Sequence, residues 1–307
     1  MLNNNPNPLR AAYPELDGRT PMEALQNPAI AGAAAGLPVF TGPGGVAEAK
    51  TAEAARAAIG VAPALQTDVT IYVSPTGSDM EGDGSPEAPY VTIQKAIDAI
   101  PAWMDGHDAI VQIAPGDYTE NILIKNKTGG TVALRSESAT SAVTIGALKI
   151  IAANVRLRYM TLRVVYNSTL DYTDYGGTYK SLVNLDMGAR VFQECSVYID
   201  GGSDTYICLG VSNQSNWGIA AASVTAEIKN TRASDGIALA ATNGASICLG
   251  RLTLQEYKSG IYAIYLGSIS YVSLAQSTTL AGTTLYTTAQ GGRVLLGANA
   301  DTANYQY

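Results

Sequence analysis

Gly236-Ile-Ala-Leu239 returns in altered form as Gly260-Ile-Tyr-Ala263 and again as Thr283-Thr-Leu-Tyr286. A second set of marks keeps the same spacing and consists of Gly244-Ala-Ser-Ile, Gly267-Ser-Ile-Ser and Gly291-Gly-Arg-Val. Each unit holds short β-forming runs broken by Gly, Asn or Ser, and none holds a helix-length apolar stripe. A repeat of roughly 24 residues cannot bury its own core and must stack on its neighbours. The pattern predicts a parallel β-helix.

The composition narrows the possible functions. Hydrophobic residues make up 47% of the 307 residues and charged residues only 15%, so a long apolar core can be built. The net charge is −7 and Lys and Arg do not cluster, so we expect no nucleic-acid partner. The sequence has no basic, apolar leader and no apolar run long enough to span a bilayer, so we expect no signal peptide and no membrane insertion.

Residues 1–66 differ from the rest of the chain, because they are rich in Pro, Ala, Gly and Asn and poor in strand patterns. We interpret them as a separate N-terminal segment, and residues 67–307 as the β-helix domain. Residues 46–60 are Ala-rich, follow a Gly-Pro-Gly-Gly breaker and end in Gly60, which predicts a helix. Such a helix is weak alone, so we expect the chain to form a homotrimer in which this helix either packs against its copies or docks on the β-helix.

The body of the chain reads as strands that follow one short helix. Ile93, Ala96, Ile97 and Ile100 share one face, so the sequence predicts a helix over 91–100 that caps the first coil. The aliphatic runs that follow predict strands at Ala109–Ile113, Asn121–Ile124, Thr131–Leu134, Val143–Ile145, Leu148–Ile151, Val155–Leu157 and Met160–Val165. At the spacing of the repeat, the range 105–297 predicts roughly eight coils.

Two segments resemble known families. The run from Ile71-Tyr-Val-Ser-Pro-Thr-Gly through Gly82-Asp-Gly-Ser-Pro to Pro115-Gly-Asp-Tyr-Thr-Glu120 resembles the opening of the pectin-lyase-like right-handed β-helix superfamily. This resemblance implies an all-β, right-handed parallel β-helix. It leaves the function open, since the superfamily includes lyases, glycosidases, esterases and inert phage spikes.

The second segment is Ala47-Glu-Ala-Lys-Thr-Ala-Glu-Ala-Ala-Arg-Ala-Ala-Ile-Gly-Val61. It is similar to an Ala-rich element of bacteriophage tail fibres. Together the two resemblances imply a phage tail fibre or tailspike protein, a family that usually trimerises. They also imply localisation in the virion tail, assembly in the host cytoplasm and attachment to other tail proteins through the N-terminal segment.

Residues 166–180 interrupt the rhythm of the coils with a polar, Tyr-rich sequence. Tyrosine rings stack on sugar faces, and carboxylates accept hydrogen bonds from sugar hydroxyls. We therefore expect a host surface polysaccharide to bind here, and the candidate contacts are Tyr166, Tyr172, Tyr175, Tyr179 and, at a separate turn, Trp217. Packing of these rings against a neighbouring coil or subunit is the alternative.

Catalytic motifs are incomplete. Arg190-Val-Phe-Gln-Glu through Asp204, and Leu249-Gly-Arg251, loosely resemble two pectin-esterase motifs, which makes Asp204 and Arg251 alternative catalytic residues. A glycosidase would need two carboxylates roughly 5–10 Å apart. Turn acids that could supply such a pair are Asp200, Asp204, Asp235 and Glu256. For a lyase, the candidate bases are Arg232, near Asp235, and Arg251.

Metal and cofactor chemistry is not expected. His107 is the single histidine and lies in a polar turn, which argues against triad and zinc chemistry. Asp79, Glu81 and Asp83 partly match a calcium loop but lack its closing Glu. The three cysteines lie in apolar runs without metal-site spacing, so they are expected to be buried free thiols, as suits a reducing compartment: Cys195, Cys208 and Cys248.

Three functions therefore remain open. The first is a virion fibre that binds host glycan without turnover. The second is a tailspike depolymerase or esterase of the lyase, glycosidase or pectin-esterase type. The third is a secreted bacterial carbohydrate-active enzyme, which the absence of a signal peptide disfavours.

Overall fold

The computed structural model describes residues 64–171, 181–277 and 280–296, together with two short strands near the N-terminus. Those two strands are β1 (Val39–Thr41) and β2 (Ala47–Ala49), and they pair antiparallel. The helix expected over 46–60 is therefore wrong for Ala47–Ala49, whose backbone groups pair with β1. The rest of 46–60 lies outside the described residues.

The domain from Ala64 onward is a right-handed parallel β-helix, as predicted, and it has about seven turns. It begins with β3 (Val69–Val73) and one helix, α1 (Ile93–Ala99). The first four turns contain β4 (Ala109–Ile113), β5 (Gly116–Asp117), β6 (Asn121–Lys125), β7 (Val132–Arg135), β8 (Ala142–Ile145), β9 (Ala147–Ile151), β10 (Asn154–Arg158), β11 (Thr161–Val165), β12 (Ser181–Asp186), β13 (Arg190–Gln193), β14 (Ser196–Asp200) and β15 (Ile207–Val211). The last three contain β16 (Asn216–Ile219), β17 (Thr225–Lys229), β18 (Ile237–Ala241), β19 (Ser246–Gln255), β20 (Ser259–Ile264), β21 (Ser268–Ser277) and β22 (Thr284–Ala289), followed by β23 (Arg293–Leu296).

The strands form three parallel stacks that run the length of the solenoid. Stack 1 consists of β3, β4, β7, β10, β13, β16, the first halves of β19 and β21, and β23. Stack 2 consists of β5, β8, β11, β14, β17 and the second halves of β19 and β21. Stack 3 consists of β6, β9, β12, β15, β18, β20 and β22. Each strand thus pairs with its counterparts in the turns before and after it.

The core runs along the axis because alternate side chains of each strand point inward. In β4 the burial alternates at every residue. One inward column of stack 1 contains a buried residue from each of six successive turns, namely Val132, Val155, Val191, Trp217, Ile247 and Ile269. Full burial of a Val, Leu or Ile side chain stabilises the fold by about 1.5–3 kcal/mol relative to exposure.

The helix α1 closes the N-terminal end, as expected from its apolar face. Thr92 caps the helix by accepting from the Lys95 N–H at 3.2 Å. The Asp79 carboxylate accepts from the Val91 and Thr92 N–H groups at 3.0 and 3.1 Å. Glu120 accepts from the first two N–H groups inside the helix at 2.7 and 3.0 Å. The loop, helix and Pro-Gly-x-Tyr-x-Glu turn of the sequence resemblance are therefore one hydrogen-bonded unit.

The same helix covers the exposed edge of stack 3. The Gln94 side chain donates to the Leu123 carbonyl at 3.1 Å and accepts from the Leu123 N–H at 2.7 Å. Leu123 lies in β6, the first strand of stack 3, which has a strand neighbour on one side only. The Gln94 amide thus takes the place of the missing strand, which is how the helix protects an otherwise unpaired edge.

The number of residues per turn varies, although the sequence predicts a constant repeat length. Leu239 pairs with Ile261, and Ile261 pairs with Tyr286. Fewer residues separate the first pair along the chain than the second. The alignment of Ile237 with Ile261 is therefore wrong, since Ile237 pairs with Ser259. In stack 1, more residues separate Trp217 from its partner Ile247 than separate Val191 from its partner Trp217. The difference arises because the corners between the strands contain different numbers of residues. Longer corners also explain why the solenoid has about seven turns instead of eight.

Within the described part of the chain, no helix is long and apolar enough to cross a membrane. The boundary expected at residue 66 stays a prediction.

Candidate functional site

The polar excursion leaves the solenoid at the corner between stacks 2 and 3 and returns at the first residue of β12. Its described part, residues 166–171, runs back toward the N-terminal end. Leu170 contacts Gly146 near the start of β9, and Asn121 of β6 donates to the Asp171 carbonyl at 2.6 Å. The candidate contacts Tyr172, Tyr175 and Tyr179 lie outside the described residues, so their role stays a prediction.

Tyr166 joins a cluster of charged side chains at this corner. Burial, followed by the neighbouring Asp204 carboxylate, raises the pKa of the Tyr166 hydroxyl. Arg232 forms an ion pair with Asp235, and its Nη1 donates to the Asp204 carbonyl at 3.5 Å. The structure therefore brings together four residues that the sequence analysis singled out separately, and we call Tyr166, Asp204, Arg232 and Asp235 the corner cluster.

The acids of this corner are held as hydrogen-bond acceptors. The Arg232 guanidinium lowers the pKa of Asp235, with a smaller contribution from Ser234. Asp200, at the end of β14, accepts from the Gly202 N–H at 3.0 Å and from the Tyr198 hydroxyl at 3.2 Å. Glu256 forms an ion pair with Lys229, at 3.2 Å between Nζ and Oε2. Carboxylates held in such hydrogen bonds and ion pairs have oxygens that can accept hydrogen bonds from hydroxyl groups.

Arg251 lies apart from the corner. It opens the stack 2 half of β19, where it pairs with Thr225 and Ser273. Asp200 and Lys229 align instead with Gln255, at the far end of the same strand. The stretch of β-strand from Arg251 to Gln255 spans about 13 Å. The structure therefore does not bring Arg251 to the acids with which the esterase resemblance pairs it.

Trp217 is not a surface residue, and its expected exposure at a turn is wrong. The turn ends before Asn216, where β16 begins, and Trp217 points inward with 1% of its surface exposed. Its indole Nε1–H donates to Gln193 Oε1 at 2.8 Å inside the core. Trp217 therefore cannot stack on a sugar and fills the inner space of the solenoid instead.

A groove of about 680 Å³ runs over the outer face of stack 3. One outward column supplies its floor, because Gly210 and Ala240 are neighbours in that column and carry almost no side chain. Asn184 precedes them and Tyr262 follows them in the same column. The floor is therefore a depression two turns long between two larger side chains.

One wall of the groove is a ladder of hydrogen-bonding side chains. Asp186 Oδ1 accepts from Asn213 Nδ2 at 2.6 Å and from the Ser212 hydroxyl at 3.2 Å. Asn213 Oδ1 in turn accepts from Asn243 Nδ2 at 3.0 Å. These residues occupy equivalent corners of successive turns, so polar groups repeat at the spacing of the turns, about 4.8 Å.

Tyrosine side chains lie at the C-terminal end of this groove and on the wall opposite the ladder. Tyr262 and Tyr265 line its C-terminal end, and Tyr265 has 50% of its surface exposed. Tyr206 lines the opposite wall, with the Arg232 guanidinium 6.0 Å from its ring centre. Tyr206 therefore links the groove to the corner cluster, and Ser181, where the excursion returns, also lines the groove.

No protein-family model, curated protein or solved structure matches this chain. A proposal about the binding site therefore has to rest on the geometry of the groove and of the corner cluster. Sequence reasoning missed Tyr206, Tyr262 and Tyr265, because their grouping depends on the register between residues of different turns. Their one sequence signal is the excess of Tyr, with 18 against 2 Phe and 2 Trp.

The described residues contain no group of three or more His, Cys, Asp and Glu that could hold a metal ion. In the acidic loop, Asp79 accepts from the Val91 and Thr92 N–H groups just before α1, and Asp83 accepts from the Ser85 N–H at 2.8 Å. At the surface, Nδ1 of His107 lies 3.5 Å from Oδ1 of Asp68. The three cysteines are free and buried, as the sequence predicts, and burial raises the pKa of each thiol.

Proposed function

We propose that this chain is a phage tail fibre or tailspike protein of the virion, and that it binds a host surface glycan in the stack 3 groove. The observation that carries the binding proposal is the combination of three features in one groove. It has a floor of small residues, a ladder of Asp and Asn side chains, and tyrosines at its sides.

This combination suits a polysaccharide. A pyranose ring presents a C–H face that packs on an aromatic ring, while its hydroxyls need amide or carboxylate partners. Tyr262 and Tyr265 offer the aromatic surface, and Asp186, Asn213 and Asn243 offer the partners. Because the solenoid repeats these groups turn after turn, it suits a ligand that also repeats along its length.

The virion part of the proposal is supported by the sequence resemblances. The Ala-rich segment before the solenoid is similar to an element of phage tail fibres, and the β-helix is a fold that phage spikes use. In this proposal residues 1–66 attach the protein to other tail proteins, three copies form the fibre, and the host polysaccharide is the partner on the shaft.

The binding proposal is tested with Tyr265→Ala, with Tyr159→Ala as the matched control. Both tyrosines have 50% of their surface exposed and both have a left-handed backbone, but Tyr159 lies between stacks 1 and 2. Loss of an aromatic stacking partner costs about 1–3 kcal/mol by analogy with base stacking, which is roughly 5- to 150-fold in Kd. Binding to purified host surface polysaccharide is measured by biolayer interferometry.

We expect Tyr265→Ala to weaken binding and Tyr159→Ala to leave it within about twofold of the parent. Equal binding by all three proteins would contradict a groove over stack 3. Failure of the parent protein to bind any host-derived polysaccharide would contradict glycan binding altogether.

The depolymerase or esterase alternative has one observation in its favour. Arg232, which is paired with Asp235 and donates to the Asp204 carbonyl, lies 6.0 Å from the ring centre of Tyr206, and Tyr206 lines the groove. Under this alternative the purified protein releases reducing ends, unsaturated uronates, methanol or acetate from the polysaccharide, and Asp204→Asn abolishes the release. Turnover by the parent that Asp204→Asn abolishes would favour the enzyme over the binding protein.

A further inference from the structure

The corner between β18 and β19 contains the one Asn-Gly pair of the sequence, Asn243–Gly244. Both residues are exposed, and Asn243 belongs to the ladder that forms one wall of the stack 3 groove. In such a pair the backbone nitrogen of Gly can attack the side-chain amide carbon of Asn, because Gly has no side chain to shield that nitrogen. The corner therefore holds a nucleophile and an electrophile in consecutive residues.

Three hydrogen bonds hold the groups that would react. The Gly244 N–H donates to the Tyr265 carbonyl of the next turn at 2.9 Å. The Asn243 carbonyl accepts from the Gln214 N–H of the preceding turn at 3.2 Å, and Asn243 Nδ2 donates to Asn213 Oδ1 at 3.0 Å. The attacking nitrogen and the amide that must leave are thus both tied to neighbouring turns, so the reaction needs this corner to open.

The turn that holds Gly244 in place lies close to the C-terminal end of the described solenoid. Tyr265 follows β20, and the next residue, Leu266, donates to the Gln290 carbonyl just after β22 at 3.2 Å. Every residue of β22 is at least partly exposed. Turns with little buried surface open locally at a lower free energy than the core of a domain. The bond from Gly244 to Tyr265 is therefore expected to break transiently while the rest of the solenoid stays folded.

We propose that Asn243 is a deamidation site, and that the fold sets its rate through the opening of this corner. The Gly244 nitrogen forms a bond to Asn243 Cγ, the Cγ–Nδ2 bond breaks, and ammonia leaves with the proton of the Gly244 N–H. Water then opens the resulting succinimide to aspartate or isoaspartate. The two residues and water supply every atom of this reaction.

The product alters the ladder, because the hydrogen bonds of the ladder all run in one direction. Asn243 donates to Asn213, and Asn213 donates to Asp186 at 2.6 Å, so Asn213 presents its oxygen to residue 243. An aspartate at this position has no N–H to donate and places a second oxygen against Asn213 Oδ1. Isoaspartate also lengthens the backbone of the corner. Deamidation is therefore expected to disturb one wall of the groove.

The test follows the mass of one tryptic peptide. Cleavage after Arg232 and Arg251 releases residues 233–251, in which Asn243 is the only asparagine. The folded protein and a synthetic peptide of residues 240–246 are incubated side by side in a mildly alkaline buffer. Conversion is read from the gain in mass when NH2 is replaced by OH. We expect the folded protein to convert at a measurable rate, at least about tenfold below that of the peptide, because the corner must first open.

Asn213→Gly removes the acceptor of Asn243 Nδ2 and keeps a residue that tolerates the left-handed backbone of position 213. We expect it to raise the conversion rate of Asn243 about threefold or more, which corresponds to the loss of one ordinary hydrogen bond. Asn126→Gly is the matched control, because Asn126 is an exposed asparagine with the same left-handed backbone at the corner that follows β6. It is expected to convert at residue 243 like the parent.

Two results for the folded protein would overturn the proposal. One is the absence of conversion after the synthetic peptide has converted completely. The other is conversion as fast as that of the peptide, which would mean that the fold does not control the reaction. An equal rate in Asn213→Gly and Asn126→Gly would overturn the part assigned to the ladder contact.

The effect on the groove rests on the proposed function and is measured separately. Asn243→Asp is expected to weaken binding to host polysaccharide about two- to tenfold, the contribution of one hydrogen bond. Binding that is sensitive to Tyr265→Ala but unchanged in Asn243→Asp would overturn this effect and leave the proposed function intact. Failure of the parent to bind any host polysaccharide would contradict the proposed function, while the conversion rates would still decide whether Asn243 is a deamidation site.

Discussion

The side chain of Gln193 makes three hydrogen bonds inside the apolar core. It is fully buried, its Oε1 accepts from Trp217, and its Nε2 donates to the carbonyls of Cys195 and Thr225 at 2.9 Å each. A buried polar group without a partner costs about 1–3 kcal/mol. The residue therefore ties the inner face of stack 1 to the beginning of stack 2.

Gln193→Met is expected to lower the free energy of unfolding by about 2–4 kcal/mol, because it removes the acceptor of the buried indole N–H and the hydrogen bonds to two carbonyls. Urea denaturation followed by Trp fluorescence measures the change. Gln66→Met is the control, since Gln66 is exposed and its side chain donates only to the nearby Ala64 carbonyl at 3.2 Å, where water can replace it. A loss below about 1 kcal/mol in Gln193→Met would contradict this role.

The error over Trp217 shows what the sequence does not determine at this scale. Asn213-Gln-Ser-Asn-Trp217 has the composition of a turn, and Asn213 and Gln214 do adopt left-handed backbone conformations. The strand begins at Asn216, directly after this turn, and a shift of one residue moves a side chain from the outer to the inner face. Inward and outward positions follow from pairing with β13 and β19, which the local sequence does not encode.

At the scale of elements, the edge of stack 3 depends on one side-chain amide. Gln94→Ala is expected to raise the hydrogen-exchange rate of the Leu123 amide at least tenfold, because its N–H loses its acceptor. Exchange is followed by NMR or mass spectrometry, with Lys95→Ala on the exposed side of α1 as the control. Unchanged protection of Leu123 would show that the amide pairing does not stabilise this edge.

The elements themselves follow closely from the sequence. The strands expected between Ala109 and Val165 lie close to their observed bounds, because aliphatic alternation indicates burial directly. The alignment of turns was less accurate, since Leu239 and not Ile237 pairs with Ile261. The corners of different turns contain different numbers of residues, while the strands still pair. A repeat in the sequence therefore gives the average number of residues per turn, but not which residues of neighbouring turns pair. The stack 3 groove depends on that register and was missed for the same reason.

At the scale of the whole molecule, the solenoid from Ala64 onward has a hydrogen-bonded first turn and a continuous core of its own. A chain without residues 1–45 is therefore expected to keep its folded solenoid and to remain a homotrimer, while losing incorporation into virions. Circular dichroism, light scattering and particle assembly measure these three properties. Loss of folding on deletion would contradict an attachment role, and a monomeric full-length chain at micromolar concentration would contradict the trimer.

The parallel stacking also bears on how the protein is made. From Val132 to Val294, each strand of stack 1 pairs with one that lies a single turn before it in the chain. A ribosome adds about 5–20 residues per second, so a new turn emerges every few seconds, whereas a loop of about ten residues closes in about 10–100 ns. Each new turn therefore emerges when the turn before it has already folded. The solenoid is expected to form during translation, from the end capped by α1 toward its last strand.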